Sequence, residues 1–266
     1  MSSSSSCPVV LTFAGLDPSG GAGIQADIET LLSMGCHTAP IVTCLTVQDT
    51  QNVYELKPIE ASFIMHQARV ILNDMPVSAI KIGLLGSVAT IEMIHSLLVD
   101  YPNIPVVLDP ILKAGGGHLL SDDEILHAMR HLLLPHATLI TPNTEEATLL
   151  ALHSDSLDAC AMSLLDQGCE YALITGTHNQ TKEVHNSLYG DRGKLDTSTW
   201  ERLPEHYHGS GCTLSSAITG LLAQGDDLLP AVRQGQEYTW QSLKHACHVG
   251  MGQAIPRRIF WADTEC

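Results

Sequence analysis

Six apolar runs of strand length alternate with helical patterns along the chain, and few folds are compatible with that order. Each run is followed by a glycine-rich or polar stretch and then by apolar residues at helical spacing. The alternation predicts an α/β fold, with a mostly parallel central sheet and helices on both faces in three layers. The predicted strands are Val9–Phe13, Thr38–Val47, Ala79–Gly83, Pro105–Pro110, Thr138–Ile140 and Tyr171–Ile174.

Helices are predicted between and after these strands. They cover Ile24 to a stop at Gly35, Ala61–Asn73, Val88–Val99, Asp122–Leu134, a stretch after Glu146, Leu214 to a stop at Gly225, and most of Leu228–Val249. The sequence Gly-Asp-Arg-Gly at 190–193 predicts a β-hairpin. No repeat or linker divides the chain, so residues 1–266 are expected to form a single domain, with residues 1–7 as a flexible tail.

Composition restricts the partners and the compartment. The chain carries 13 Lys and Arg against 29 Asp and Glu, a formal net charge of −16, so no nucleic-acid partner is expected. The longest apolar runs are too short to span a bilayer, and no membrane association is expected. Eight scattered cysteines without a C-x-x-C pair, and no signal peptide, indicate reduced thiols and a cytoplasmic protein.

The stretch Gly209-Ser210-Gly211-Cys212, here called the anion loop, is the most informative loop of the sequence. It precedes a predicted helix, whose first turn has backbone N–H groups without helical partners. Its glycines allow a ligand to approach the backbone, which favours an anion site with Cys212 at its mouth. By itself, the stretch is also compatible with an ordinary turn and a small packing cysteine.

Polar residues at the ends of the predicted strands are expected to meet the anion loop. Parallel strands with right-handed crossovers place their carboxyl ends at one edge of the sheet, where α/β folds bind ligands. That convergence favours a functional site over an ordinary turn. The residues brought to the edge are the loop after Asp17, Gln48, Gly83, Asp109, Asn143, Glu146 and Thr175.

Two carboxylates without a basic cluster suit phosphoryl transfer, which depends on positioning and charge neutralisation. Asp109 and Glu146 are candidate ligands of Mg²⁺, which takes few direct protein ligands. Each is also compatible with a helix N-cap or a buried hydrogen-bonded carboxylate. A hydrolase with Cys212 as nucleophile is a further hypothesis, because a loop-to-helix turn lowers a thiol pKa. His208 is the one histidine at a distinctive position.

Six motifs, in order and at matching spacing, identify a resemblance that runs from Val9 to about Gly252. The chain resembles the hydroxymethylpyrimidine/phosphomethylpyrimidine kinases of thiamine biosynthesis, within the ribokinase-like superfamily. The Asp17–Asp27 block is the most specific of the six. The motifs are Ala14–Asp27, Thr46–Thr50, Lys81–Leu85, Leu108–Pro110, Ile140–Asn143 with Glu146, and His208–Ser215.

The resemblance implies an ATP-dependent kinase. Its substrate would be 4-amino-5-hydroxymethyl-2-methylpyrimidine, phosphorylated at the hydroxymethyl group and then again to the diphosphate. ATP and Mg²⁺ are the implied cofactors, and a homodimer is the implied assembly. Alternatives are a pyridoxine or pyridoxal kinase and a non-catalytic pyrimidine-binding protein.

The resemblance also assigns roles to individual residues. Cys212 stands where the wider superfamily has an aspartate base, and Gly209, Ser210 and Gly211 correspond to the anion hole. Asp109 and Glu146 are the implied metal ligands. The implied pyrimidine contacts are Gly15, Asp27, Gln48, Leu84 and Ile111, and the implied ATP contacts are Asp109, Asn143, Glu146, Thr175 and Thr177.

Two features differ from the family pattern. Many members carry a lysine at the strand end that here reads Ile174-Thr175-Gly176-Thr177. Either Thr175 and Thr177 replace it as hydrogen-bond donors, or Lys113 supplies the charge. The loop after Asp109 is also about one residue shorter than usual, and the missing lysine motivates the alternative of a protein that only binds the pyrimidine.

Overall fold

The computed structural model describes residues 7–112, 122–151, 154–176 and 181–262. These residues form a nine-stranded sheet. The strands are β1 (Val9–Leu16), β2 (His37–Gln48), β3 (Val53–Pro58), β4 (Val77–Ile82), β5 (Val106–Leu108), β6 (Leu139–Ile140), β7 (Tyr171–Thr175), β8 (Glu183–Gly190) and β9 (Gly193–Glu201). Their order across the sheet is β3-β2-β1-β4-β5-β6-β7-β8-β9.

The six predicted strands form the parallel centre of the sheet. β2, β1, β4, β5, β6 and β7 pair in parallel, whereas β3, β8 and β9 add antiparallel strands at the two ends. Strand β2 lies on one side of β1, and β4 lies on the other side. The sheet therefore changes its winding direction between β1 and β4, which is where open α/β sheets bind ligands.

Two layers of helices cover the sheet, which confirms the predicted three-layer α/β fold. The helices are α1 (Gly23–Ser33), α2 (Ala61–Asp74), α3 (Val88–Asp100), α4 (Asp123–Ala128), α5 (Thr144–Leu150), α6 (Leu157–Asp166), α7 (Ser210–Ala223) and α8 (Leu228–Lys244). Leu11 and Phe13 of β1 pack into the core with α2 and α3, while Val10 faces the opposite side with Leu31 of α1. This alternation buries both faces of the sheet.

Several boundaries differ from the predictions. Strand β3 is not predicted, because it is an exposed edge strand without a continuous apolar run. The helix predicted over Asp122–Leu134 is α-helical only to Ala128 and continues as a π-helical turn and a 3₁₀ turn. Pro135 has no N–H to continue a regular helix at that point.

Other helices also start or end elsewhere. The stretch after Glu146 contains two helices, α5 and α6, because Ser156 caps a new helix by accepting from the N–H of Ala159. Helix α7 begins at Ser210 rather than Leu214, so the anion loop is its first turn, and α8 ends at Lys244 rather than near Val249. Among the described residues, no helix is long and apolar enough to cross a membrane.

Candidate active site

Two loops meet at the carboxyl edge of the sheet beside the change in winding direction. The glycine-rich loop, residues 17–23, follows β1, and the anion loop opens α7. A Cβ atom at Gly209 would lie 2.0 Å from the carbonyl oxygen of Gly21, and Gly209 has a φ of +80°. Only glycine fits this position, because a side chain would collide with the backbone and strain its own. The two loops thus form one continuous surface.

The anion loop presents the start of α7 without a side-chain cap. Gly209 is the N-cap residue and makes no side-chain hydrogen bond to the first turn. Gly209 and Ser210 are partly exposed, and Gly211 is exposed. Backbone N–H groups at such a helix start bind anions. Cys212 follows in the same turn but is only 5% exposed.

Asp109 lies directly beside the anion loop, immediately after β5. A Cβ atom at Gly211 would lie 3.8 Å from its Oδ1, and Ser215 of α7 donates to its Oδ2 over 3.1 Å. Burial raises the pKa of Asp109, the positive charge of Lys81 opposes that increase, and the charge of Asp27 adds to it. The carboxyl is therefore held in a dry position next to the open helix start.

Lys81 is a buried cation under this position, and the sequence patterns assign it no role. Its Nζ lies 2.9 Å from Oδ1 of Asp27 and 4.0 Å from Oδ2 of Asp109, and its side chain has no exposed surface. Although burial opposes it, the negative charges of Asp27 and Asp109 hold the pKa of Lys81 above its ordinary value. The available signal was a lysine between Ile80 and Ile82 in an otherwise apolar strand.

Asp27 supports the site from below. It is fully buried in the first turns of α1, where its Oδ1 accepts from Lys81 and from the hydroxyl of Ser216 over 2.7 Å. Its Oδ2 has no hydrogen-bond partner among the described residues. The sequence leads us to expect a pyrimidine contact, but the structure exposes no oxygen of Asp27 to solvent. That contact stays a prediction, and the role visible here is to hold Lys81.

Cys212 carries a proton at neutral pH in this environment. Burial raises the pKa of its thiol to about 12, and the carboxylates of Asp109 and Asp27 add to the increase. Lys81 and the N–H of Gly23 act in the opposite direction without reversing it. Among the described residues, the charged groups that act most strongly on Cys212 are Lys81, Asp109 and Asp27, whereas a cysteine hydrolase pairs its thiol with a histidine.

Asn143 and Glu146 form a capping box at the start of α5. Asn143 Oδ1 accepts from the N–H groups of Glu145 and Glu146, and Glu146 Oε2 accepts from the N–H of Asn143 over 2.9 Å. The N-cap is therefore Asn143, and Glu146 is the buried, hydrogen-bonded carboxylate that its sequence position also allowed. Burial and the charge of Asp109 raise the pKa of Glu146 to about 8. Glu146 is therefore a cap and also the electrostatic neighbour of Asp109.

These two carboxyl groups have the chemistry of a cation site. Asp109 and Glu146 are buried, and burial together with the charge of a neighbouring carboxylate raises the pKa of each. A divalent cation would relieve that cost. Within the described ranges, no group of three or more His, Cys, Asp or Glu side chains is placed to hold a metal ion. The donor set therefore fits Mg²⁺, which completes its shell with water and phosphate, rather than an ion enclosed by protein.

The remaining predicted residues are distributed along the same edge. Gly15 and Leu84 are neighbours, since a Cβ atom at Gly15 would lie 3.1 Å from Cδ2 of Leu84. Ile111 is half-buried two residues after Asp109, and Thr175 is held by its N–H to the carbonyl of Pro142 over 2.9 Å. Thr177 and Lys113 lie outside the described residues.

His208 and Arg258 anchor the two loops, and the sequence patterns had assigned them no role. Nε2 of His208 lies 2.7 Å from Oδ2 of Asp17 and 3.0 Å from Nε2 of Gln48. Arg258 is 1% exposed and donates to Thr213 Oγ1, to Glu29 and to the carbonyl of Gly21. Only the position of His208 beside the anion loop signalled a function.

Comparison with known proteins decides the family. The profile of the family described as phosphomethylpyrimidine kinase matches residues 17–257. The chain belongs to the phosphomethylpyrimidine kinase family. It is 35% identical over 251 residues to the hydroxymethylpyrimidine/phosphomethylpyrimidine kinase of Haemophilus influenzae, covering 91% of this chain and 93% of that one. The corresponding enzyme of Staphylococcus aureus strain Mu50 is 32% identical, with 97% and 95% covered.

Solved structures agree with the family assignment. A phosphomethylpyrimidine kinase from Clostridium difficile 630 superposes with a TM-score of 0.76 at 31% identity, covering 88% of this chain and 99% of the other. An ADP complex of Bacillus subtilis pyridoxal kinase superposes with a TM-score of 0.88 at 28% identity, covering 96% and 99%. This phosphomethylpyrimidine kinase family member is thus a kinase with the ribokinase-like fold, and the expected resemblance is confirmed.

Proposed function

We propose that this kinase transfers phosphate from Mg·ATP to the hydroxymethyl group of 4-amino-5-hydroxymethyl-2-methylpyrimidine, and then to the monophosphate to give the diphosphate. The observation that carries the proposal is the uncapped start of α7 beside Asp109, in a chain that matches the phosphomethylpyrimidine kinase profile. An open helix start is suited to stabilising the charge of a phosphoryl group in transfer.

The anion loop supplies the donors in this proposal. The N–H groups of Gly209, Ser210 and Gly211 donate to phosphate oxygens directly from the backbone. Lys81 offsets the negative charge of Asp109 from underneath, because its Nζ lies 4.0 Å from Oδ2 of that carboxyl group. A fixed cation in a dry site acts more strongly than one in water. Together these groups reduce the need for the strand-end lysine that many relatives carry.

The nucleotide and its metal are assigned to the β5–β7 side of the edge. Asp109 and Glu146 would hold Mg²⁺, while Asn143, Thr175 and Thr177 would contact ATP. Bound there, the ion neutralises charge on the phosphate oxygens. Support for nucleotide use comes from the likeness to a pyridoxal kinase solved with ADP.

Cys212 is the proposed proton acceptor for the substrate hydroxyl. Its thiol is protonated at neutral pH when no ligand is bound, since its pKa is about 12. Accepting a proton requires that positive charge near Sγ first favours the thiolate, and Lys81 is the described cation that acts in this direction. The base role therefore depends on Lys81 as well as on Cys212.

Calorimetric titration with ATP, with and without Mg²⁺, tests the nucleotide part of the proposal. We expect binding that is strengthened by Mg²⁺, and we expect Asp109→Asn to lose that dependence. Asp100→Asn is the matched control, because Asp100 is an exposed residue at the end of α3 that pairs with Arg69. Absence of ATP binding at millimolar concentration would contradict the proposal and favour a protein that only binds the pyrimidine.

Pyridoxine or pyridoxal is a second candidate acceptor. The likeness to Bacillus subtilis pyridoxal kinase, at a TM-score of 0.88, is the reason to test this acceptor. The relatives named hydroxymethylpyrimidine/phosphomethylpyrimidine kinase share more sequence, 35% and 32%, so the pyrimidine is preferred. Comparison of kcat/KM for the two alcohols distinguishes these acceptors.

We also propose a cytoplasmic homodimer. Apolar side chains are exposed on the β2–β3 edge, with Leu45, Val47 and Tyr54 at 40%, 55% and 61% exposure, which is a surface suited to a second copy. The described cysteines are all free, as in a reducing compartment. Sedimentation velocity of the protein and of Val47→Lys tests the assembly, and a monomeric wild type would contradict it.

A further inference from the structure

Three side chains, Asp17, His208 and Thr46, form a hydrogen-bonded chain with the side-chain amide of Gln48. Nε2 of Gln48 lies 3.0 Å from Nε2 of His208, which in turn lies 2.7 Å from Oδ2 of Asp17. At its other end, Oε1 of Gln48 lies 3.1 Å from Oγ1 of Thr46, which is also 2.9 Å from the carbonyl oxygen of Leu16. A half-turn of the amide exchanges its nitrogen and oxygen with little change in shape, so the partners decide which atom faces which.

The proton on His208 is fixed by Asp17. Oδ1 of Asp17 accepts from the N–H of Ser19 over 2.8 Å, and Oδ2 accepts from the N–H of Ala22 over 2.9 Å. Although burial opposes it, the hydrogen bonds from His208 and Ser19 hold the pKa of Asp17 below its ordinary value. A carboxylate only accepts, so Nε2 of His208 must carry the hydrogen. That single hydrogen is directed at Asp17 and can be shared only with a second acceptor, so the Gln48 atom that faces Nε2 must be the oxygen rather than the hydrogen-bearing nitrogen.

The proton on Thr46 leads to the same result independently. A hydroxyl has one hydrogen, and the carbonyl oxygen of Leu16 can only accept it. Oγ1 of Thr46 therefore offers a lone pair to Gln48, and the atom of Gln48 that faces it must be the amide nitrogen. Both ends of the amide thus require Oε1 toward His208 and Nε2 toward Thr46. The opposite orientation places an N–H group against an N–H group at His208 and a lone pair against a lone pair at Thr46.

We propose that Asp17, His208 and Thr46 lock the side-chain amide of Gln48 in this orientation and so determine which ring edge the kinase accepts. His208 and Thr46 are positioning residues, because they act on the ligand through Gln48. The inference rests on the proposed function, in which Gln48 contacts the pyrimidine. It extends that function by naming what selects the substrate.

The lock gives Gln48 a defined pattern of donor and acceptor. After the bonds to His208 and Thr46, the amide retains one N–H and one lone pair on Oε1 among the described contacts. An amide edge of this kind pairs with a ring nitrogen that accepts and an adjacent amino group that donates, as Asn and Gln do with adenine. The preferred ligand is therefore an aminopyrimidine, and an analogue with the reverse pattern is disfavoured.

Calorimetric titration with two pyrimidines tests the lock. One is the 4-amino alcohol, and the other is its 4-oxo analogue, which carries a carbonyl in place of the amino group and a hydrogen on the adjacent ring nitrogen. The readout is the ratio of the two dissociation constants, oxo over amino. We expect the wild type to favour the amino compound. His208→Leu is expected to reduce the ratio by about tenfold, because it removes about one hydrogen bond that holds the amide of Gln48 in its orientation.

The other variants separate orientation from folding. Thr46→Val is expected to reduce the ratio by about threefold while leaving the packing of His208 intact. His208→Gln, which can still donate to Asp17, is expected to keep most of the ratio. The matched control Thr197→Val changes an exposed threonine on β9 and is expected to keep all of it. A loss of packing alone would weaken both ligands equally and leave the ratio unchanged.

The outcomes distinguish the lock from the proposed function. An unchanged ratio in folded Thr46→Val and His208→Leu overturns the lock, whatever the enzyme phosphorylates. A wild type that binds the amino compound but transfers no phosphate from ATP contradicts the proposed function, while the ratio still tests the lock. Failure of the wild type to bind either pyrimidine contradicts both.

Discussion

Lys81 links stability and chemistry at the scale of single residues. Its ion pair with Asp27 has no exposed surface, whereas the Arg69–Asp100 pair, at nearly the same distance, is about half exposed. Exposed pairs contribute little because water screens them, but removing one member of a buried pair leaves an uncompensated charge. The two pairs are therefore a natural comparison within one protein.

Lys81→Met is expected to destabilise the protein by about 3–5 kcal/mol, and Arg69→Met by less than about 1 kcal/mol. The free energy of unfolding in urea measures both. The double variant Lys81→Met/Asp27→Leu should recover much of the loss, because it removes the unpaired carboxylate as well. Equal effects of the two single variants would contradict the account of Lys81.

Cys212→Ala is expected to reduce turnover by roughly 10²–10⁴-fold, the usual effect of removing a general base, while pyrimidine binding remains measurable. Steady-state kinetics with ATP gives the turnover, and calorimetry gives the binding. Cys160→Ala, a buried cysteine of α6, is the control and should keep its activity. Near-normal turnover in Cys212→Ala would contradict this role. The proton acceptor would then be another group, and Asp109 is the adjacent carboxyl.

Glu146 makes the stability of the ligand-free protein depend on pH. Its pKa rises from 4.5 to about 8 on folding, so the folded state favours the neutral form. Its contribution is complete below the unfolded pKa and is lost as the pH rises through about 8. The melting temperature of Glu146→Gln, measured relative to that of the wild type, should therefore increase between pH 5 and pH 9.

Thermal unfolding across that pH range, without Mg²⁺, measures the effect. Glu92→Gln is the control, because Glu92 is an exposed glutamate of α3. Its difference from the wild type should stay constant with pH. A constant difference for Glu146→Gln as well would show that the carboxyl is ionised throughout.

At the scale of elements, the contact between the glycine-rich loop and the anion loop shapes the site. Gly209→Ala places a methyl group 2.0 Å from the backbone of Gly21, at a φ of +80°. Gly225 at the other end of α7 has a similar φ of +93°, yet a Cβ atom there would meet nothing within 4 Å. Comparison of an alanine substitution at each glycine therefore separates the cost of backbone strain from the cost of a steric collision.

Gly225→Ala is expected to cost about 1–2 kcal/mol from strain alone and to leave turnover unchanged. Gly209→Ala should cost more and also reduce turnover, because the loops must separate. Urea unfolding and kinetics measure the two effects. Equal costs with normal turnover would mean that the loop contact is not needed for the site.

For the whole molecule, the sequence predicts the parts that depend on local pattern. Alternation of strand and helix is sufficient for the parallel centre, and the parallel direction is sufficient to bring Asp17, Asp109 and the anion loop to one edge. Strand β3 is missed because an edge strand needs no apolar run. The family resemblance, rather than spacing, assigns roles to Cys212 and Asp27.

Contacts between distant residues were not predictable from pattern. His208 lies 160 residues after Gln48, and nothing local to either indicates that they meet. Lys81 becomes a buried cation because α7 packs against β4 and Asp27 of α1 pairs with its ammonium group. The pKa of Cys212 likewise depends on groups from three separate elements, β4, α1 and the end of β5. Burial and charge at the site are properties of the assembled fold.

The change in winding direction explains why all these groups lie together. The helices that follow β1 and β4, α1 and α3, lie on opposite faces of the sheet, and such a position leaves room for a ligand between the glycine-rich loop and the loop after Ile82. The anion loop closes that space from above through α7. The pyrimidine contacts and the phosphate site are thereby assigned to the same edge, as transfer between two bound substrates requires.

Product analysis by mass spectrometry tests the central claim most directly. The protein is incubated with Mg·ATP and either 4-amino-5-hydroxymethyl-2-methylpyrimidine or its monophosphate. The account predicts that the alcohol yields the monophosphate and then the diphosphate, with one ADP formed for each phosphate transferred. Binding of the pyrimidine without formation of either product would contradict the claim. Conversion of the pyrimidine without consumption of ATP would contradict it as well.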